Sequence, residues 1–439
     1  MAELSLPQQL ERLDAERLRA YRENLDFYNG LQWPGRPRGR ERRLTFNYAK
    51  VCLDKVASYL VNGLQVRVEP ADTSPQAETS ARRAEAALRH AHEQNNLDQL
   101  DFDTELDAAI MGDGCYKVTW DAARGGIRVS APDVQGLFAW WRPDDVGQVW
   151  RVASRYQVSA QESQALFGLR APVRRAATAV VEAWTDQTFH LWVDNALVEE
   201  KPNPYGAIPF ILFPNLREPK RFWGVSDIPA LVEPARELNR ALSQLSLILE
   251  LSGNPIAVLE NVEEASDIAV QPGAVWELPE RARAYLLDLL QGGGVGLHAD
   301  YVNLVMRTLH DLAEAPRTSF GDNSRALSGV ALEMELHPLL QRVARKRLIR
   351  TAVYRRRAEM MLRLLEQKAG EDFQGCLVRV AWGPVLPQDR TRLVEEEQAL
   401  VASGLHSRRR AMANLGVEDP EAELSRSQEE QAHSVVGRE

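Results

Sequence analysis

Apolar residues recur at alternating steps of three and four through the middle of the chain: Ile228, Leu231, Ala235, Leu238, Leu242, Leu245 and Leu249. That spacing is a heptad seam, which a helix turns toward another helix rather than toward a broad core. It predicts a helix over about 225–251. Ser226 and Asp227 stand at its N-cap, Pro229 lies in its first turn, and Gly253, Asn254 and Pro255 stop it. At about 1.5 Å per residue such a rod is roughly 40 Å long, enough to cross a domain. A second helix over about 299–315 offers Val302, Val305, Leu309 and Leu312 as its partners, and Pro316 ends it.

Upstream, the pattern alternates between the helical and the strand period. One helix is expected over 5–30, with Leu10, Leu13, Leu18 and Leu25 apolar, then an exposed arm rich in Arg, Gly and Pro over 34–43. Helices follow over 48–62, 80–95 and 97–111, with a strand at 64–69 and a Ser/Thr/Pro/Ala-rich loop at 71–80. Gly112-Asp113-Gly114 is a turn, and strands at 115–120 and 126–130 form a hairpin. Shorter strands are expected at 136–141, 148–156, 179–185, 188–193 and 208–213, with a helix at 160–168.

Downstream runs a very long helical pattern, 330–368, which Pro338 should kink or divide. Its polar side carries Arg342, Arg345, Arg347, Arg350, Arg355, Arg356, Arg357 and Arg363. A strand at 376–382 returns to the mixed block, and helices near 389–403, 407–415 and 420–431 close the chain. The fold class is α+β, mainly helical.

At 439 residues the chain is too long for one core. A net charge of −9 disfavours a protein that grips duplex DNA through its phosphates. No apolar run approaches the ~18 residues of a membrane span. The charged N-terminus does not read as a signal peptide. Three scattered cysteines point to a reducing compartment. Arginine outnumbers lysine 46 to 7. Base composition of the genome explains that first; arginine–carboxylate pairing between subunits is the alternative.

Catalytic signatures are missing: the sequence has no GxxxxGK[ST], HExxH, CxxC or GxSxG. The run Gly292-Gly293-Gly294-Val295-Gly296 reads as a loop tip. Asp101, Asp103, Glu105 and Asp107 lack the glycine of a calcium loop and read as an acidic helix face. Trp140-Trp141 and Phe222-Trp223 read as packing groups. No catalytic, cofactor-binding or metal-binding residue is expected, and no cofactor.

Several stretches then agree, in order, with one family. They are Tyr28-Asn29-Gly30, Asn47-Tyr48 and Leu53 to Gly63; Ile208-Pro209-Phe210 and Asn215; Gly224-Val225-Ser226-Asp227-Ile228 with Asn239 and Ser243; Ser328 to Leu332; Trp382 to Pro387; and Glu418 to Leu424. The chain resembles the portal proteins of tailed bacteriophages, similar to those of the SPP-type long-tailed group.

The resemblance implies a ring of about twelve copies at the unique capsid vertex of the virion, assembled in the host cytoplasm without a membrane. Duplex DNA is packaged and later ejected through it without sequence recognition. It implies contacts with the terminase large subunit, with major capsid and scaffolding proteins, and with head–tail connector proteins. It divides the chain into a wing (1–223), a stem helix (224–252), a clip (253–298), a second stem helix (299–316) and a tunnel loop (317–330). A long kinked helix with a return strand (331–382) and a crown (383–439) follow.

Thr318, Ser319, Asn323, Ser324, Arg325, Leu327, Ser328 and Val330 would face the DNA. Ile228, Leu231, Leu238, Leu242, Leu245, Leu249, Val305, Leu309 and Leu312 would pack the stem. Arg342, Arg345, Arg355, Arg356 and Arg357 are candidates for charge pairing between subunits, or for a DNA-facing surface. The competing functions are a non-channel helical scaffold or adaptor of a phage particle, and a metal-dependent nuclease built on Asp101 to Asp107.

Overall fold

A computed structural model describes residues 5–39, 41–167, 177–253, 256–260, 281, 283–287, 294–321, 329–386, 390–417, 420, 422–427 and 429. The chain forms two compact units, Met1–Ala381 and Trp382–Glu439.

The first unit begins with α1 (Leu6–Leu10) and α2 (Ala15–Tyr28) where one helix is expected. Asp14 breaks them apart at φ 57°, a left-handed conformation that a continuing helix does not accept. Asn47 caps α3 (Tyr48–Val61), its side chain accepting from the Lys50 amide, and β1 (Leu64–Pro70) follows. The segment expected as a loop at 71–80 is helical from Pro75. Ser74 caps α4 (Pro75–Gln94) by accepting from the Ala77 amide, and proline suits the first helical position.

Next come α5 (Leu97–Met111), β2 (Asp113–Asp121), β3 (Gly126–Ser130), β4 (Leu137–Arg142), β5 (Asp145–Val158), α6 (Ala160–Phe167), β6 (Thr178–Trp184) and β7 (Thr188–Val193). The strand β8 (Ala196–Pro202) was not signalled by the sequence, since all seven of its residues are exposed and burial imposes no alternation. It is followed by β9 (Phe210–Pro214), α7 (Pro229–Gly253), β10 (Ile256–Glu260), β11 (Arg283–Leu287), α8 (Gly294–Leu312), α9 (Gly329–Ala369) and β12 (Cys376–Trp382). In the second unit α10 (Arg390–Ala402) packs with α11 (Arg408–Asn414).

The described strands form four sheets, in the orders β3-β2-β9, β4-β5-β6-β7-β8, β1-β12 and β10-β11. One core lies where α9 crosses α3, β2 and β9, with Leu53, Leu60, Tyr116, Leu339 and Tyr354 buried. A second cluster joins α1 to the five-stranded sheet through Leu6, Leu10, Phe138, Ala153 and Val181.

Three helices differ from expectation. The first rod starts at Pro229 and not at 225, because Ser226 and Asp227 are used elsewhere. Its partner starts at Gly294, so Gly294 and Gly296 lie in a helical turn rather than a loop tip; Gly292 and Gly293 lie outside the described residues. The long helix continues through Pro338 undivided over 41 residues. No helix among the described residues is long and apolar enough to cross a membrane.

Candidate functional site

The region that organises the molecule is a buried polar clamp where α9 meets the start of α7 and the end of α8. Four cationic side chains of α9 recur at steps of four, four and seven: Arg342, Lys346, Arg350 and Arg357. On a helix they share one face, and that face is turned inward. Opposite stand Asp101 and Glu105 of α5, one turn apart, and Asp227 before α7.

Asp227 receives Lys346 Nζ at 2.5 Å, Arg342 at 2.9 Å and the Asn215 amide at 3.0 Å. Burial alone would raise its pKa, but Lys346 and Arg342 hold it below the usual carboxylate range. Burial in turn lowers the pKa of Lys346. Arg342 also donates to the carbonyl of Ala313 at 2.5 Å, just past the end of α8. One guanidinium therefore closes both the beginning of α7 and the end of α8.

Arg350 forks onto Glu105 at 2.7–2.9 Å and donates to the carbonyls of Pro214 and Asn215 at 2.7 and 2.9 Å. Arg357 grips Asp101 with both terminal nitrogens. Burial works against the charge on each arginine, yet Glu105 and Asp101 raise their pKa values. Buried charges of this kind persist because every one is paired.

The glycine of the 224–228 stretch has a steric reason. A Cβ at Gly224 would run into the Gly112 carbonyl and Pro214. Its amide donates to Asp113 Oδ1 at 2.8 Å, and Asp113 also accepts from the Tyr21 hydroxyl. Burial pushes the Asp113 carboxyl up to about 6. Ser226 donates to the Ala109 and Ile110 carbonyls and accepts from the Ile228 amide.

Further along α7, Asn239 accepts from the Phe46 amide at 2.7 Å and donates to Gln32 at 2.7 Å, while Ser243 accepts from the Leu44 amide at 3.0 Å. The residues just after the expected arm are thus laid along α7, while the described residues of 34–42 are exposed, as the sequence predicts. Arg42 meets Glu250 at 2.5 Å near the helix end.

The stem residues divide. Ile228, Leu231, Leu238, Val305 and Leu309 are buried, Leu242 and Leu245 half-buried, and Leu249 and Leu312 half exposed. On α8 a second stripe, Leu297, Tyr301 and Leu304, also faces solvent.

Of the residues assigned to the DNA, Ser319 is buried instead. It sits in a short 3-10 helix, Arg317–Phe320, and donates to the Pro316 carbonyl at 2.6 Å. Thr318 beside it is half-buried. His310 fixes this turn, its Nδ1 bonding the Ala315 carbonyl at 2.8 Å and its ring packing edge-on against Tyr48 and Phe320. Asn323, Ser324, Arg325, Leu327 and Ser328 lie outside the described residues, as does the side chain of Val330.

The arginines assigned to subunit contacts are corrected in part. Arg342 and Arg357 are buried in ion pairs within the chain. Arg345 meets Glu314 at 2.5 Å, and Arg355 lies 3.9 Å from Glu359 on its own helix. Arg356 is exposed. The nuclease acids are divided too, since Asp101 and Glu105 give their oxygens to arginines. Trp141 stacks on Phe222 with ring centres 4.5 Å apart, in keeping with a packing role.

A long rod pair is pinned at one end by a helix-borne clamp. The chain belongs to the phage portal proteins, in the SPP1 Gp6-like family, whose model matches residues 8–436. No curated protein matches it.

Proposed function

We propose that the protein is the portal subunit that forms the ring-shaped channel at one capsid vertex, through which viral duplex DNA is packaged and later ejected. Its role is structural, with no catalytic step of its own; DNA translocation is driven by a terminase motor docked on the ring. Head–tail connector proteins replace that motor when the head is full. In this reading α7 and α8 are the stem, and the residues between them form the clip that meets motor and connector. Residues 317–330 are the tunnel loop and 383–439 the crown. The bulk of the first unit is the wing, which faces capsid and scaffolding proteins.

Family membership over nearly the whole chain carries the reading. The distribution of apolar surface on the α7–α8 pair supports it, because the pair keeps a solvent-facing stripe after packing on itself.

Negative-stain images of the purified full-length chain test it. A ring with a central hole, and a mass about twelve times 49.4 kDa, is the expected result. A lone globule of one subunit's mass overturns it.

A further inference from the structure

A closed ring of identical subunits needs two different patches on each chain, one for the neighbour on either side. The five-stranded sheet and α9 supply a pair that match.

The first patch is a groove of about 500 Å³ between β9, α9, the start of β5 and the 217–222 loop. Its walls include Val149, Phe222, Leu348 and Ala352. Leu348 is 77% exposed, although Lys346 and Arg350 beside it are fully buried. Arg217, Arg221 and Arg356 stand around it; the one carboxylate among its lining residues, Asp113, is buried and already accepts from Tyr21 and the Gly224 amide. Arg221 pairs with Glu218 at 2.8 Å. Among the described residues, no carboxylate lies within ion-pair distance of Arg217 or Arg356. In a chain of net charge −9, an apolar groove ringed by cations calls for an acidic occupant with an apolar anchor.

The second patch is β8. It ends its sheet, and no described strand pairs with its outer edge. Leu197 and Val198 are exposed, and Glu199 and Glu200 follow directly. Glu199 meets Lys201 at 3.0 Å and Glu200 lies 3.4 Å from His190, surface pairs that cost little to rearrange. An open edge strand with apolar residues is a surface that proteins normally cover.

We propose that the Arg217–Arg356 groove receives the β8 edge of a second copy, Leu197 and Val198 entering beside Leu348 while Glu199 and Glu200 meet the free guanidinium groups. The inference rests on the ring reading above. The two patches differ, so the contact is head-to-tail and can close a ring.

Charge exchange tests it, with ring content read by mass photometry and fold by circular dichroism. Arg217→Glu/Arg356→Glu and, separately, Glu199→Arg/Glu200→Arg should each keep the parent's spectrum and lower the ring fraction about tenfold or more. Mixing the two variants should restore rings, because each offers the patch the other now fits. Rings in either variant at the parent's level overturn the proposal, as does a mixture that stays monomeric. Should a reversal fail to fold, Arg217→Gln/Arg356→Gln takes its place. It must lower ring content, or the proposal falls. A parent chain that forms no ring overturns the ring reading itself, which separates the two failures.

Discussion

The two halves of α7 carry one apolar repeat but meet different surroundings. From Ile228 to Leu238 the seam is sealed inside the chain, against the clamp on one side and the docked segment 44–46 on the other. From Leu245 onward the same repeat loosens, and Leu247 and Leu249 stand about half exposed. Periodicity therefore marks where a helix wants a partner without saying whether the partner is in the same chain. The clamped half is held by groups of its own subunit. The far half keeps exposed apolar residues beside the Arg42–Glu250 pair, and the outer face of α8 keeps its own.

Removing the clamp should have the largest effect. Asp227→Ala leaves Lys346 and Arg342 facing each other without a carboxylate, and losing one partner of a buried pair costs about 3–5 kcal/mol. Urea unfolding of the protomer should show that loss, or the variant should fail to accumulate as folded protein. Leu238→Ala, at a fully buried seam position, should cost about 2 to 5 kcal/mol in the same measurement.

Asn239→Ala removes the acceptor for Phe46 and the donor to Gln32. It should cost about 1–3 kcal/mol and raise proteolytic cleavage within residues 34–46. Leu249→Ser, in the far half, should change protomer unfolding by no more than about 0.5 kcal/mol. An Asp227 variant as stable as the parent, or a Leu249 variant as damaged as Leu238→Ala, would erase the contrast.

The clamped end also has a pH signature. Asp113 has a folded pKa near 6, against an ordinary value of 3.8. Between about pH 4 and 6 the folded chain holds a proton that the unfolded chain has released, so this group lowers stability as pH rises through the window. Asp107, raised to about 6 by burial and by Asp133 and Asp103, adds in the same direction. Asp227 acts with the opposite sign, its contribution being present above 3.8 and lost as acid protonates it. Asp113→Asn should flatten the slope of unfolding midpoint against pH between about 4 and 6.

Much of the architecture was legible because its signals are local. The helix at Leu97–Met111 and the strands at Gly126–Ser130 and Thr188–Val193 have the bounds their patterns predict. Ser74 shows why α4 was read short: a polar residue before a proline caps a helix as readily as it makes a loop. The clamp was half visible. Asn215, Gly224 and Asp227 stood out by resemblance, but their reason did not, because it lies in residues more than a hundred positions away. Arg342, Lys346, Arg350 and Arg357 stand at helical spacing, and the sequence alone reads that arginine-rich face as pointing outward. What would have corrected it is the matching spacing of Asp101 and Glu105, which supplies buried counter-ions.

Arg342 works as a mechanical tie. Its guanidinium ties together the root of one rod and the root of the other, so neither can shift lengthwise without straining a contact shared with its mate. A displacement of either rod along its axis is felt at Asp227 and at the Ala313 carbonyl together, and α9, which carries Arg342, shares it.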